Sequence, residues 1–270
     1  MSEIEKKFKN ELVQLLKNLG LSHGDKVFVT GNLASLGRLR IFKNRKMEIL
    51  LDSIFSVIGK DSTIFSPSAS MNLCNTSIPF DIKNTPSDKM GAFAEYLRKL
   101  PGSVRSNHPF WSVSGIGKDA SILKKVSKHA FGIESPWSHF LDMDVKQLNL
   151  GLHPSKAVTL IHHIETIYGV PYRYTKEFSH PILKNGKITK DFFYQSVMYL
   201  ASDIKKRVLL NEHYFESLKE KKLLHENTHE TGLKLWCFKM KDFYNEAITF
   251  FNEDIYNYLE YEPKIKPYQK

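Results

Sequence analysis

Helical and strand patterns alternate along the first 66 residues, and this alternation limits the possible folds more than any other feature. Apolar residues recur at helical spacing over residues 4–19, and a second helical pattern covers 44–58 and ends at Gly59. A short apolar run typical of a buried strand follows each helix, at 27–30 and at 62–66. The alternation predicts an α/β fold in which helices cover both faces of one sheet, a three-layer α/β/α sheet.

Two further helix starts are indicated by capping residues. Thr85-Pro86-Ser87-Asp88 combines a hydroxyl cap, a first-turn proline and an acidic residue, which predicts a helix over 89–100. Ser135-Pro136 repeats the cap and the proline and predicts a short helix to about residue 142. Both helices lie within the predicted α/β core.

The chain changes in character beyond about residue 190. Residues 191–230 and 240–260 are helical in pattern and rich in Lys, Glu, Tyr and Phe. The sequence contains no internal repeat and no low-complexity tract. We therefore expect a single domain over 1–270, with its core at about 1–190 and a helix-rich C-terminal region at about 191–265.

The charge balance limits the partners. The chain has 39 Lys and Arg against 29 Asp and Glu, a formal net charge of +10, which favours anionic partners. The basic residues are not interleaved with aromatic ones, so we expect no nucleic acid partner. No segment approaches the roughly 18 apolar residues of a membrane span. Cys74 and Cys237 are too few for a disulfide scaffold, and the N-terminus has no signal-peptide core, so we expect a cytoplasmic protein.

The most suggestive polar residues lie in a predicted helix at 157–168, after a predicted strand at 145–150. Thr159, His162 and Glu165 are spaced three apart and share one helix face. Ligands of open α/β sheets bind beyond the carboxyl ends of strands, where this helix would begin. An imidazole there can take a proton from an amine near neutral pH, and a carboxylate can fix its tautomer. The alternative is a hydrogen-bonded, half-buried structural histidine.

Other signatures are weaker or missing. Residues 105–112 form a loop dense in hydrogen-bonding groups, and residues 35–38, Ser-Leu-Gly-Arg, could hold a phosphate on backbone N–H groups. The sequence has no complete phosphate loop, no G-x-S-x-G elbow and no H-E-x-x-H zinc motif. We expect no metal, although a metal-dependent hydrolase stays as an alternative because separate loops could bring together His108, His153, His162, His163 and Glu165.

Taken together, these segments resemble the aminoglycoside 3-N-acetyltransferase family, which is unrelated to the GNAT fold. Residues 85–98 match the family's T-P-S-x-M-G-x-x-x-E-x-x-R, with one extra residue before the Met. Residues 105–112 match R-S-x-H-P-x-x-S, 131–136 match F-G-x-x-S-P, and 159–165 match T-x-x-H-x-x-E. Order and spacing agree over about 25–175.

The resemblance implies a CoA-dependent N-acyltransferase that moves an acetyl or related acyl group directly from acyl-CoA to the amino group of an amino sugar. It implies that His162 is the general base, Glu165 its acidic partner, and His108 a further catalytic residue. The predicted contacts with CoA are Ser35, Leu36, Gly37, Arg105, Ser106 and Ser112. The predicted contacts with the acceptor are Asp81, Glu95 and Thr159.

Two departures from the family pattern concern the acceptor. At the first strand end, where the family has H-[ST]-S-L, this chain has Thr30-Gly31-Asn32-Leu33, which lacks the imidazole. Aminoglycosides are polycations, whereas this chain is strongly basic. We therefore expect a phosphate-bearing acceptor, such as a nucleotide-linked amino sugar of surface-polysaccharide synthesis. The alternatives are aminoglycoside acetylation, which confers antibiotic resistance, and a non-catalytic anion-binding protein. The sequence leaves the oligomeric state open.

Overall fold

A computed structural model describes residues 2–32, 45–206 and 212–269 of the chain. Its helices are α1 Glu3–Asn18, α2 Lys46–Ile58, α3 Ala92–Lys99, α4 Pro136–Asp142, α5 Leu160–Tyr168, α6 Glu212–Glu220 and α7 Met240–Glu253. Its strands are β1 Val27–Gly31, β2 Thr63–Pro67, β3 Phe80–Asp81, β4 Val104–Arg105, β5 Val113–Gly117, β6 Lys146–Leu150, β7 Arg173–Lys184, β8 Lys187–Met198, β9 His225–Thr228 and β10 Lys234–Lys239.

The main sheet has the order β4-β5-β2-β1-β6-β10-β9, and β1 runs parallel to both of its neighbours. Alternate side chains of a strand point to opposite faces, and both faces of this sheet are covered. In β1, Val27 and Val29 pack with α1, α2 and α3, whereas Phe28 packs on the other side with α4, α5 and α7. The predicted α/β class and its layered arrangement are confirmed.

The parallel strands β1 and β6 position the site. Their carboxyl ends lie together, since Gly31 is in register with Leu150. The chain leaves β6 at Leu150, makes a short turn and enters α5 at Leu160, so His162 lies in the first turn of that helix. This junction is where an open α/β sheet brings its ligand-binding groups together.

The helical prediction for 191–230 is wrong over most of its length. Residues up to Met198 belong to β8, which pairs with β7 along a hairpin of two 12-residue strands. The hairpin turns at Asn185-Gly186, where both residues have positive φ, of 52° and 75°. Asn-Gly between apolar runs is a strong hairpin signal, and it outweighs the helical spacing of the strand residues. Within 212–269, α6 and α7 are helical as predicted, but β9 and β10 extend the main sheet.

The predicted cap at Thr85 is also wrong. The helix begins at Ala92, after Gly91 with φ 92°, and no side chain caps it. The Thr85 hydroxyl instead accepts a hydrogen bond from the Asp81 N–H at 2.8 Å. The cap-like residues form a turn before the helix, whereas Ser135 does cap α4 by accepting from the Ser138 N–H.

Candidate active site

His162, Glu165 and Arg173 form a compact cluster between α5 and the start of β7. The Nδ1 atom of His162 lies 3.0 Å from Oε2 of Glu165, and Nη2 of Arg173 lies 2.8 Å from the same oxygen. The Glu165 side chain is fully buried, and those of Arg173 and His162 are 7% and 16% exposed. The shorter contact of Nδ1 is with the Glu165 carboxylate, which only accepts, so we place the hydrogen on Nδ1 and the lone pair on Nε2. In this tautomer the Arg173 nitrogen, 3.2 Å from Nδ1, contacts the ring without a hydrogen bond. Within 2–32, 45–206 and 212–269, no group hydrogen-bonds Nε2.

Burial and charge together set the protonation of this cluster. Burial, assisted by the positive charges of Arg173 and Lys206, lowers the pKa of His162 to about 4, although the Glu165 carboxylate opposes the shift. Burial alone would raise the pKa of Glu165, but Arg173 and the bond from His162 outweigh it and lower that pKa. At neutral pH the imidazole is therefore uncharged and the carboxylate ionised, which is the state that a general base requires.

Aromatic rings surround the imidazole on several sides. The centroids of Phe131, Trp111 and Tyr258 lie 5.3, 6.1 and 6.3 Å from the His162 ring, and all three contacts are edge-on. These rings come from three different parts of the chain. They fix the plane of the His162 imidazole and limit the access of water to it.

His108 is predicted as a further catalytic residue, but both of its ring nitrogens have partners within the protein. Its Nδ1 accepts from the Phe110 and Trp111 N–H groups at 3.3 and 3.1 Å, and its Nε2 faces the Tyr194 carbonyl at 3.4 Å. Burial lowers its pKa to about 3. The ring joins the loop that carries Trp111 to β8, which is a different arrangement from that of His162.

Arg105 and Ser112, predicted to contact CoA, are buried among protein partners. The Nε of Arg105 donates to the Ser112 hydroxyl at 2.9 Å, and its other nitrogens donate to the Thr85, Ile82 and Ser68 carbonyls and the Ser70 hydroxyl. Burial is the main cause that lowers the Arg105 pKa to about 9. The Ser112 hydroxyl donates to Ser68 O at 2.7 Å. The pair ties three loops together.

The other predicted contacts are distributed over several places. Ser106 is buried, and its hydroxyl accepts from the Val113 N–H. Asp81 accepts from the Lys83 and Asn84 backbone in a turn. Glu95 accepts from Arg98, which is 3% exposed, and from Ser87. Thr159 immediately precedes α5, one turn before His162. Ser35, Leu36 and Gly37 lie outside the described residues. The structure thus brings His162 and Glu165 together, with the Thr159 carbonyl accepting from the His162 N–H, and holds the other described residues in separate networks.

A cavity of about 750 Å³ lies beside this loop network, away from His162. It is formed by segments 82–84 and 98–105 together with Lys124. Lys83, Lys99 and Lys124 bring positive charge to it, and Arg105 borders it from the protein side. A basic cavity of this kind suits a phosphate-bearing ligand.

Arg173 is the residue of the cluster that sequence reasoning missed. It lies in Tyr172-Arg173-Tyr174, outside the motifs that carry the family resemblance. The spacing of α5 predicts which residues share its face, but not which strand packs against that face. The Asn-Gly turn would have revealed the hairpin, and with it a strand beginning near Arg173.

The described part of the chain has neither a cluster of metal-binding side chains nor a membrane-spanning helix. No group of three or more His, Cys, Asp and Glu side chains is placed to hold a metal ion there. No helix there is long and apolar enough to cross a membrane. His163 and His153 are engaged elsewhere, with Phe131 O and with Ser155 respectively.

Comparison with known proteins defines the class first: the chain is an acyltransferase that acts on amino groups. A family model described as aminoglycoside 3-N-acetyltransferase matches residues 32–252, which is most of the chain. The chain belongs to this family, as the order of its motifs predicts.

The individual matches are distant in sequence. Aminoglycoside N(3)-acetyltransferase VII of Streptomyces paromomycinus is 26% identical over 206 residues, which cover 66% of this chain and 67% of that protein. The structure of aminoglycoside acetyltransferase AAC(3)-Xa has a TM-score of 0.77 at 18% identity, covering 92% of this chain and 93% of its own. That of AAC-IIIb with CoASH has a TM-score of 0.76 at 17% identity, covering 94% and 98%. The structural matches show a shared fold.

Proposed function

We propose that this protein transfers the acetyl group of acetyl-CoA to an amino group of an aminoglycoside, with His162 as the general base. One observation carries the proposal: an uncharged imidazole whose Nδ1–H is held by a buried carboxylate and whose Nε2 is not hydrogen-bonded within the described residues. This is the geometry of a base that accepts a proton from a bound amine. The family match supports the reaction class.

The proposed reaction needs no covalent enzyme intermediate. The amine nitrogen attacks the thioester carbonyl carbon, the new C–N bond forms, and the C–S bond breaks. Nε2 of His162 takes the proton that the amine loses, and Glu165 stabilises the resulting imidazolium through Nδ1. The proton then passes to the departing thiolate, which leaves as free CoA thiol. Phe131, Trp111 and Tyr258 keep the slot around the base poor in water, which strengthens these electrostatic effects.

The aminoglycoside acceptor is supported by the names of the curated relatives, among them N(3)-acetyltransferases VII and III. Their support outweighs the expectation of a nucleotide-linked amino sugar, which rests on the net charge of +10 alone. A net charge does not describe a local pocket, because charged residues elsewhere on the surface are screened over about 10 Å at 0.1 M salt. The nucleotide-linked acceptor stays as the second candidate because the cavity beside Arg105 is basic.

Acetyl-CoA as the donor is supported by the family match and by the CoASH complex of AAC-IIIb. Contacts of CoA with Ser35, Leu36 and Gly37 remain predictions. So do contacts with Arg105, Ser106 and Ser112, whose buried side chains leave little polar surface for a ligand. A cytoplasmic location also remains a prediction, and it agrees with the two free cysteines Cys74 and Cys237.

The test is an acetylation assay with the wild-type chain. Thiol release from acetyl-CoA is followed against 2-deoxystreptamine aminoglycosides, free amino sugars and nucleotide-linked amino sugars, and the acetylated nitrogen is located by NMR. Acetylation of an aminoglycoside at the 3-amino group is the expected result. Turnover of the nucleotide-linked sugars alone would keep the chemistry and replace the acceptor. If calorimetry detects no CoA binding and no amine is acetylated, the proposed function is wrong.

A further inference from the structure

Arg173 contacts both His162, the candidate base, and its partner Glu165. Its Nη2 lies 2.8 Å from Oε2 of Glu165 and 3.2 Å from Nδ1 of His162. Its Nη1 donates to the Ser196 carbonyl of β8 at 3.2 Å. The hairpin therefore holds the guanidinium against α5 from the side.

A buried carboxylate beside an imidazole creates a difficulty for catalysis. An opposite charge at about 3 Å favours the protonated ring, so Glu165 opposes the effect of burial and raises the pKa of His162. A protonated ring cannot take a proton from an amine. A positive charge that offsets the carboxylate would therefore help to keep the base available.

We propose that Arg173 is a positioning residue that offsets the charge of Glu165 and thereby keeps His162 uncharged between turnovers. The distances carry this argument. The carboxylate oxygen lies 3.0 Å and the guanidinium nitrogen 3.2 Å from the same Nδ1 atom. Opposite charges at nearly equal distances largely cancel at the ring, because Coulomb energy varies inversely with distance. Burial then decides the balance, and burial favours the uncharged imidazole.

The remaining groups around the ring agree with this balance. Lys206 adds a second positive charge that disfavours the imidazolium. Tyr172, beside Arg173, is a buried neutral phenol whose pKa lies well above its usual value because of its burial and the Glu165 charge. Tyr258, Phe131 and Trp111 contact the ring with uncharged faces or edges. Among the described residues, Glu165 is the carboxylate whose charge acts on His162.

The proposed role also affects the end of the reaction and so rests on the proposed function. A ring that is disfavoured as an imidazolium gives up its proton readily. After His162 has taken the amine proton, Arg173 would promote its transfer to the departing CoA thiolate. The same guanidinium would thus keep the base free before attack and return it to that state afterwards.

The experiment is an NMR titration of His162 in the intact protein, with the resonance assigned from His162→Gln. The wild-type ring should titrate near pH 4. Arg173→Met keeps the bulk but removes the charge, and it should raise the pKa of His162 by about one unit or more. Arg173→Lys keeps the charge and should leave that pKa closer to the wild-type value. Arg98→Met is the matched control, because Arg98 is an equally buried arginine paired with Glu95 at 2.7 Å and does not contact His162.

A double variant separates charge from disturbed packing. Glu165→Gln in the Arg173→Met background removes both charges, so the pKa of His162 should fall back towards the wild-type value. If Arg173→Met does not fold, the comparison of Arg173→Lys with Glu165→Gln serves, and neither should raise the pKa. An unchanged His162 pKa in Arg173→Met, or a rise in Glu165→Gln, would overturn the proposal. Because the titration needs no substrate, it can succeed even if no amine is acetylated, in which case the proposed function alone fails.

Discussion

Two arginines with buried side chains, Arg173 beside the candidate base and Arg105 in the 105–112 loop, have different kinds of partner. Arg173 pairs with Glu165 and touches His162, so two of its three partners can change their protonation. Arg105 donates to carbonyls and hydroxyls alone and packs over the Phe80 ring, with 4.9 Å from its Cζ to the ring centroid. Both guanidiniums would look alike in a sequence motif.

The difference shows how a residue that acts in a reaction can be distinguished from one that stabilises the fold. Carbonyl partners cannot exchange protons, so the network around Arg105 fixes the shape of the loops between β2 and β5. A carboxylate and an imidazole can exchange protons, so we expect the network around Arg173 to act on catalysis. The comparison predicts that variants of the Arg105 network reduce stability, whereas variants of the Arg173 network change rate and pH dependence.

Arg105→Met should give the largest loss of stability in the Arg105 network. It leaves several buried acceptors without donors, each of which costs about 1–3 kcal/mol, so the free energy of unfolding should fall by about 3–5 kcal/mol. Urea denaturation measures the change, and turnover per folded molecule should stay within about threefold of wild type. Lys124→Met, an exposed cation of the neighbouring cavity, is the control. If Arg105→Met has normal stability but binds CoA more weakly, Arg105 contacts CoA as the resemblance implies, and its contrast with Arg173 is wrong.

His108→Ala should have the next largest effect. It removes an acceptor for two backbone N–H groups in a buried site, and we expect a loss of about 2–3 kcal/mol in unfolding free energy. Thermal and urea melts, with turnover measured well below the midpoint, separate stability from catalysis. A fall of a hundredfold or more in kcat at unchanged stability would make His108 a catalytic residue, as the resemblance implies.

Ser112→Ala tests the same network at a single hydroxyl group. The Ser112 hydroxyl accepts from Arg105 and donates to Ser68 O, so its loss should cost about 1–2 kcal/mol. Ser127→Ala is the control, because the Ser127 hydroxyl donates to the Ile133 carbonyl at the surface. Its unfolding free energy should stay within about 0.5 kcal/mol of wild type. Equal effects of the two variants would count against a buried scaffold at Ser112.

The pH dependence of catalysis gives the smallest expected change. The His162 pKa of about 4 lies below the ordinary value, so the basic form is already dominant at pH 6. The enzyme contribution to kcat/KM should therefore vary less than about twofold between pH 6 and 8, after correction for the amine's own ionisation, and should fall below about pH 5. An acidic limb near pH 6.5 would mean that Arg173 does not offset Glu165.

The sequence predicted the site through spacing within one helix and missed the contact between two elements. His162 and Glu165 share a helix face because they are three residues apart, and the structure places them 3.0 Å apart. Arg173 reaches them as the first residue of β7, the first strand of the hairpin that turns at Asn185-Gly186. The helical reading of 191–230 failed there, since β8 pairs with β7 along its whole length.

Loop roles were the hardest to predict. The 105–112 motif looks like a binding loop because it is dense in polar groups. Arg105 and Ser112, however, hydrogen-bond to each other and to carbonyl groups of other segments. Residue type does not reveal whether a partner is a ligand or a carbonyl elsewhere in the chain. The order of the motifs was enough for the family, which the match over 32–252 confirms.

The most direct test of the account is the turnover number of His162→Ala beside that of His163→Ala. The two imidazoles are adjacent in sequence, but His163 faces the core and bonds Phe131 O at 2.7 Å. With acetyl-CoA and an accepted amine, we predict that His162→Ala lowers kcat by about 10²- to 10⁴-fold, the usual loss for a general base. His163→Ala, assayed where it is folded, should stay within about tenfold of wild type. A His162→Ala enzyme that also stays within tenfold would contradict the central claim that His162 takes the proton of the amine.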